Sequence, residues 1–240
     1  MAYLEDGYVT DRPAAYAMPA ERVAFIRKTY GHLAGAVMAF AAIEALLLAT
    51  PVGQNATLAL FSLGKLGILV YMALFVGVGM FAQSMSFARS RSTQYLGLGL
   101  YVVLQAIIVL PLLYIAVNSP MFAGQYVVEK AVLLTLGIFA GLTLSVFLMG
   151  KDFSFLGPIL CAVSVGAIVT CFCGVIFGFD LGLWFTYILI ALAAAYIIYD
   201  TSNVLHRYGT EQYVGASLAL FASVALLFRM ILQLLMSRRN

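Results

Sequence analysis

From Gly31 to its last residues the chain is a succession of apolar runs, each about long enough to cross a bilayer, joined by short polar segments that carry most of the charge. Hydrophobic residues make up 64% of the 240 and charged residues 10%, with a mean hydropathy of +1.03. No water-soluble fold of this size can bury so much apolar surface, so lipid must solvate most of the exterior. The roughly 10-residue alternating segments of a membrane barrel are absent. The chain therefore reads as an all-α polytopic membrane protein.

Seven runs can be counted: Gly31 to Thr50, Leu66 to Phe81, Tyr95 to Val117, Ala131 to Met149, Phe155 to Phe177, Leu181 to Tyr199 and Tyr213 to Met236. Each approaches the roughly 20 residues that a helix needs for a hydrocarbon core about 30 Å thick. If all seven cross, one side holds Arg12, Arg22, Arg27, Lys28, Arg89, Arg91, Lys151 and Arg207. The other side holds Lys65, Lys130, Arg238 and Arg239. Positive charge stays cytoplasmic, so the N-terminus is expected inside and the C-terminus outside, unless a re-entrant last segment brings Arg238 and Arg239 back. Residues 1–29 are expected to form a largely disordered cytoplasmic tail, and residues 30–237 the membrane domain. The compact chain begins without the apolar core of a signal peptide, which suggests a bacterial inner membrane.

The spans leave no room for a separate catalytic domain. The net charge of +3 is spread over joints and termini, which excludes a nucleic-acid-binding face. Cys161, Cys171 and Cys173 lie in one apolar run and read as buried packing residues rather than as a metal or disulfide site. No serine or cysteine has a recognisable base beside it, and His32 and His206 lack metal-ligand spacing, so an enzyme is not expected and no cofactor is implied. Gly137-x-x-x-Gly141 and Gly174-x-x-x-Gly178 suggest close approach between helix backbones. Pro111 should bend the third run.

Ionisable groups inside spans cost several kcal/mol unless paired or hydrated, so each needs an account. Glu44 and Arg229 both lie roughly 9 to 10 Å from the same expected face of the membrane. Matching depth suggests a buried ion pair, with a protonated Glu44 and an Arg229 reaching the headgroups as the alternative. A pair would allow the loss of function in Arg229→Leu to be recovered by adding Glu44→Leu. Asp200 ends the sixth run. If the helix continues, Asp200, Asn203, His206 and Arg207 share a stripe about 120° wide that could line a hydrated passage or face a cation. An ordinary interfacial helix end, with Asp200 among headgroups and His206 in water, fits the same residues. Lys151 and Asp152 suggest a local or solvated charge pair.

Three stretches are similar to a known family: Phe25-Ile26-Arg27-Lys28-Thr29-Tyr30-Gly31-His32-Leu33, Lys151-Asp152-Phe153-Ser154-Phe155-Leu156, and Tyr199-Asp200-Thr201. With the segment from Ala216 to Leu235 they resemble the Bax inhibitor-1, or transmembrane Bax-inhibitor-motif, family, over about residues 22 to 239 and in its bacterial form. The resemblance implies six helices around a central last helix, and a cation leak, best known for calcium, gated by protonation of two aspartates. Asp200 matches the first aspartate. A gap-free alignment puts the second at Ser223, so the partner carboxylate that would let two acids share a proton is missing. The implied function is a cation leak with Asp200 as its cation-facing carboxylate and Asn203 and Ser223 as neutral ligands. The alternative is a regulatory protein that binds a membrane-anchored protease or another membrane protein through its N-terminal tail. A proton-coupled transporter is the weakest reading, because clear broken-helix pairs are absent.

Overall fold

The computed structural model describes residues 13–86, 90–122 and 124–237. Their eight α-helices are α1 (Pro19–Ala49), α2 (Pro51–Ser62), α3 (Lys65–Ser86), α4 (Arg91–Asn118), α5 (Val127–Met149), α6 (Leu156–Phe177), α7 (Gly182–His206) and α8 (Tyr213–Ser237). All but α2 are long and apolar enough to cross a membrane, which gives seven spans among the described residues. In lipid every backbone polar group needs an internal partner, and continuous helices supply it. Glycines end two of them: Gly150 after α5 and Gly178 after α6 take left-handed conformations, with φ of 60° and 76°, that a side chain would strain.

Helix α1 starts at Pro19, well before the first apolar run, which corrects the expectation of a disordered tail through residue 29. Proline is favoured in a first turn because its fixed φ suits the helix and its missing N–H costs no hydrogen bond there. Glu21 in the same turn faces the positive end of the helix dipole. Ahead of α1, a short 3-10 turn at Ala14–Tyr16 is docked rather than loose. The Ala14 amide donates to the Tyr208 carbonyl at 3.0 Å, and Ala14 is fully buried. The earlier part of the expected tail lies outside the described residues.

Helix α2 was not legible as an apolar run. It has 12 residues, about 18 Å, too short to cross, and it begins at Pro51 directly after α1. Gly53 makes this turn fit, because a Cβ there would stand 2.5 Å from the Leu47 carbonyl oxygen.

Helix α8 is the most buried of the seven spans and packs on α1, α3, α4, α5 and α7, while α6 packs on α7 and α3. Aromatic rings fill the space around it. Phe221 meets Phe40 of α1 and Tyr101 of α4 edge-on, at 6.0 and 5.8 Å between ring centres. The expected glycine pairs do not mediate these contacts. A Cβ on Gly137 or Gly141 would meet open space, Gly174 abuts Leu181 and Phe179 of the following joint, and Gly178 is a helix terminator. Spacing alone put these glycines on one helix face without saying that a neighbour covers it. The three cysteines are free thiols, and Cys161 is exposed on α6 instead of buried. Helix α4 continues through Pro111.

Gly53→Ala is expected to destabilise the protein by about 1–3 kcal/mol, because the clash is with backbone that cannot swing aside. Gly35→Ala, whose Cβ meets nothing within 4 Å, should be neutral. Thermal unfolding in detergent compares the two.

Candidate functional site

Helix α7 runs unbroken to His206, so Asp200 sits six residues, about 9 Å, inside its end. Ser223 on α8 donates its hydroxyl to Asp200 Oδ2. The two positions joined by alignment are therefore joined in space. Ser223 is buried and Asp200 half-buried. Tyr101 of α4 and Tyr196 of α7 lie within electrostatic reach of the carboxylate. The Tyr196 hydroxyl is 2.9 Å from Ser164 Oγ on α6.

Several buried oxygens in this region lack a hydrogen-bond partner among the described residues. They are Asn203 Oδ1 and Thr201 Oγ1 on α7, Tyr30 Oη on α1 and Thr143 Oγ1 on α5. The Tyr30 hydroxyl faces Thr143 and Thr201 without reaching strict hydrogen-bond geometry. An unpaired buried oxygen costs about 1–3 kcal/mol, so Asn203 Oδ1, which faces no such neighbour, leaves room for a polar guest on this length of α7. A carboxylate with neutral amide and hydroxyl oxygens is a donor set suited to a hard cation or to water. Among the described residues no three of the His, Cys, Asp and Glu side chains stand together as a tight metal site.

The joint before α6 is tied to the same end of α7. The Phe153 amide donates to Ser202 Oγ at 2.8 Å, and Ser202 is fully buried. Asp152 accepts from both the hydroxyl and the amide of Ser154, the latter at 2.8 Å. These bonds hold its carboxyl below the usual range, helped by the charges of His206 and Arg207. Its contacts are therefore with Ser154, and no Lys151 ion pair stands among the described residues. Lys151 and Asp152 belong to a solvated joint. His206 Nδ1 lies 3.0 Å from the Ser202 carbonyl on its own helix, and its ring is not part of the Asp200 contact.

Glu44 and Arg229 are not brought together. Glu44 is 4% exposed and neither of its oxygens has a hydrogen-bond partner among the described residues. Arg229 turns to α3, with its guanidinium carbon 4.1 Å from the centre of the Phe75 ring and 5.2 Å from that of Tyr71. It also lies within electrostatic reach of Cys171 on α6. Matching depths did not settle the rotation of each helix about its axis, and stacking on aromatic faces supplies the cation with a partner instead. Asp180, at the far end of α7, accepts the Gly182 amide at 2.9 Å and stands twenty residues before Asp200.

Tyr30, Thr143 and Ser202 were missed as members of this region. Tyr30 lay within a stretch singled out for other reasons. Thr143 is a single small polar residue in an apolar run, and Ser202 lies inside the polar stretch Asp200 to Asn203, so only packing reveals what each one touches.

Seven apolar helices enclosing a carboxylate and unpartnered oxygens define a polytopic membrane protein with a polar site inside its bundle. Residues 22–240 match the family model described as "Inhibitor of apoptosis-promoting Bax1". The chain belongs to the Bax inhibitor-1 family. It is 30% identical to a BI1-like protein of Arabidopsis thaliana, over 91% of this chain and 82% of that one. It is 28% identical to Protein LIFEGUARD 2 of the same plant, over 97% and 95% of the two chains. Protein lifeguard 4 of Mus musculus is also 28% identical, over 97% and 92%. No solved structure matches the chain significantly.

Ser202→Ala leaves the Phe153 amide without its acceptor and is expected to cost about 1–3 kcal/mol. Hydrogen exchange at Phe153 should speed up by a factor of ten or more. With no contact between them, Glu44→Leu and Arg229→Leu should have additive effects on thermal stability, within about 0.5 kcal/mol. A double-variant cycle measures this.

Proposed function

We propose that the protein is a cation leak that contributes to ion homeostasis of its membrane, with Asp200 as the cation-facing carboxylate. Asn203 and Ser223 act as neutral oxygen ligands, and calcium is the favoured permeant ion. The observation that carries this reading is the Asp200–Ser223 contact beside buried oxygens that lack partners. One carboxylate with neutral oxygens holds calcium loosely, since calcium prefers six to eight oxygen ligands, and loose binding suits passage. Helix α8 packs against five of the other six spans, with α6 on α7 and α3, which supports a central last helix with five spans around it and α6 at the edge. The setting is a bacterial plasma membrane with the N-terminus in the cytoplasm, supported by the basic joints on that side.

A second reading has one observation in its favour. The matching family is described by its action on another protein, apoptosis-promoting Bax1. Under this reading the chain regulates a membrane partner, such as a membrane-anchored protease, through its N-terminal segment, and Asp200 is structural.

Liposomes holding a calcium dye separate the two. Wild type should pass calcium between pH 6 and 8, and Asp200→Asn should reduce the flux at least tenfold with the protein still folded. Ser223→Asp restores the second acid and should make the flux depend on pH near neutrality, because neighbouring carboxylates share a proton. No flux above that of empty liposomes would favour the partner-binding reading.

A further inference from the structure

A groove of about 760 Å³ runs between α1 and α4 on the outer surface of the bundle. Its walls are small and apolar, with Gly31, Gly35 and Ala39 on α1 and Gly99 and Val102 on α4. A Cβ on Gly31, Gly35 or Gly99 would meet nothing within 4 Å, so these glycines leave space that the protein itself does not fill. The groove reaches Ile43 from Arg27, sixteen residues of helix or about 24 Å. That distance passes the midplane of a hydrocarbon core about 30 Å thick, and so accommodates a full acyl chain.

The end of the groove nearest the helix starts is cationic. Arg27, Lys28 and His32 line it together with Tyr95, which is 43% exposed. Neither Arg27 nor Lys28 has a carboxylate within ion-pair distance among the described residues. The nearby Arg91 is paired with Glu211, which takes up that acid. His32 is fixed by two contacts, to the Lys28 carbonyl at 2.8 Å and to the Tyr95 hydroxyl at 2.9 Å. The Lys28 ammonium lies 5.1 Å from the centre of the Tyr213 ring, which orders it without neutralising it.

We infer that this groove binds one anionic phospholipid, its phosphate held by Arg27 and Lys28 and one acyl chain lying along Gly31, Gly35 and Gly99. Charge complementarity selects this occupant. Any lipid chain can fill the apolar length, but only an anionic headgroup supplies the two unpaired cations with a partner at the headgroup level. The competing occupant is a helix of a second copy, since Gly31-x-x-x-Gly35-x-x-x-Ala39 has the small-residue spacing at which membrane helices pack. A docked helix would leave the cations unexplained.

Native mass spectrometry of the full chain in detergent, offered equal phosphatidylglycerol and phosphatidylcholine, tests the inference. Wild type should retain phosphatidylglycerol at least tenfold better. Arg27→Gln and Lys28→Gln should each lower that preference about fivefold, the contribution of one basic residue near a membrane surface. Gly35→Leu, built into open space, should abolish phosphatidylglycerol binding while thermal stability in detergent stays unchanged. Equal retention of the two lipids, or a preference that survives Arg27→Gln with Lys28→Gln, would overturn the headgroup site. Undiminished binding by Gly35→Leu, or inorganic phosphate binding as tightly as the lipid, would overturn the acyl groove. A wild-type dimer that Gly35→Leu converts to monomer would assign the groove to a second copy and overturn the lipid. None of these results depends on ion flux, so the leak stands or falls separately.

Discussion

The Ser223 hydroxyl donates to Asp200 across the contact between α7 and α8, the most extensive helix pair in the bundle. Lipid tails are as apolar as leucine, so nothing like the hydrophobic effect in water pushes membrane helices together. Close packing and polar contacts must do it. Helix α8 has aromatic packing against α1 and α4 through Phe221, and a polar contact to α7 two residues further on. The polar contact sets the register of α7 against α8, because it forms only when the two residues share one depth and face each other.

The three stretches that mark the family sit far apart in the chain and meet around the end of α7. The first contributes Tyr30, whose hydroxyl faces Thr201. The second contributes Phe153, whose amide is held by Ser202, and is followed directly by Gly157, where a Cβ would press on the Tyr199 side chain at 3.0 to 3.2 Å. The third contains Tyr199, Asp200 and Thr201 themselves. Residues from all three stretches therefore meet along one short length of α7, Tyr199 to Ser202, which includes Asp200. The docked turn at Ala14 adds a further contact at Tyr208, just beyond the same helix end.

Much of the fold was legible because hydropathy and length act locally. The seven runs reappear as α1 and α3 to α8, with ends displaced mainly where polar residues continue a helix beyond its apolar part, as in α7 from Tyr199 to His206. The short helix α2 escaped notice because twelve mixed residues carry no span-length signal. The site was half legible. Alignment matched Asp200 and Ser223 to the two aspartate positions without saying that they touch, whereas Thr143 could not be singled out by residue type. Glu44 and Arg229 show the limit most plainly, since the depth expected from the sequence did not translate into contact.

The sequence by itself determined that the chain spans a membrane with seven helices, where the polar joints lie, and which few ionisable groups are carried inside. These follow from the cost of placing each residue in lipid, which depends on composition along a single segment. Only the tertiary structure decided that Arg229 stacks on Phe75 instead of meeting Glu44, that Gly35 borders an open groove, and that Ser223 reaches Asp200. Each of those depends on how far a helix is rotated about its axis. Hydrophobicity barely constrains that angle when lipid and protein interior are equally apolar, so side-chain packing and polar contacts between helices set it.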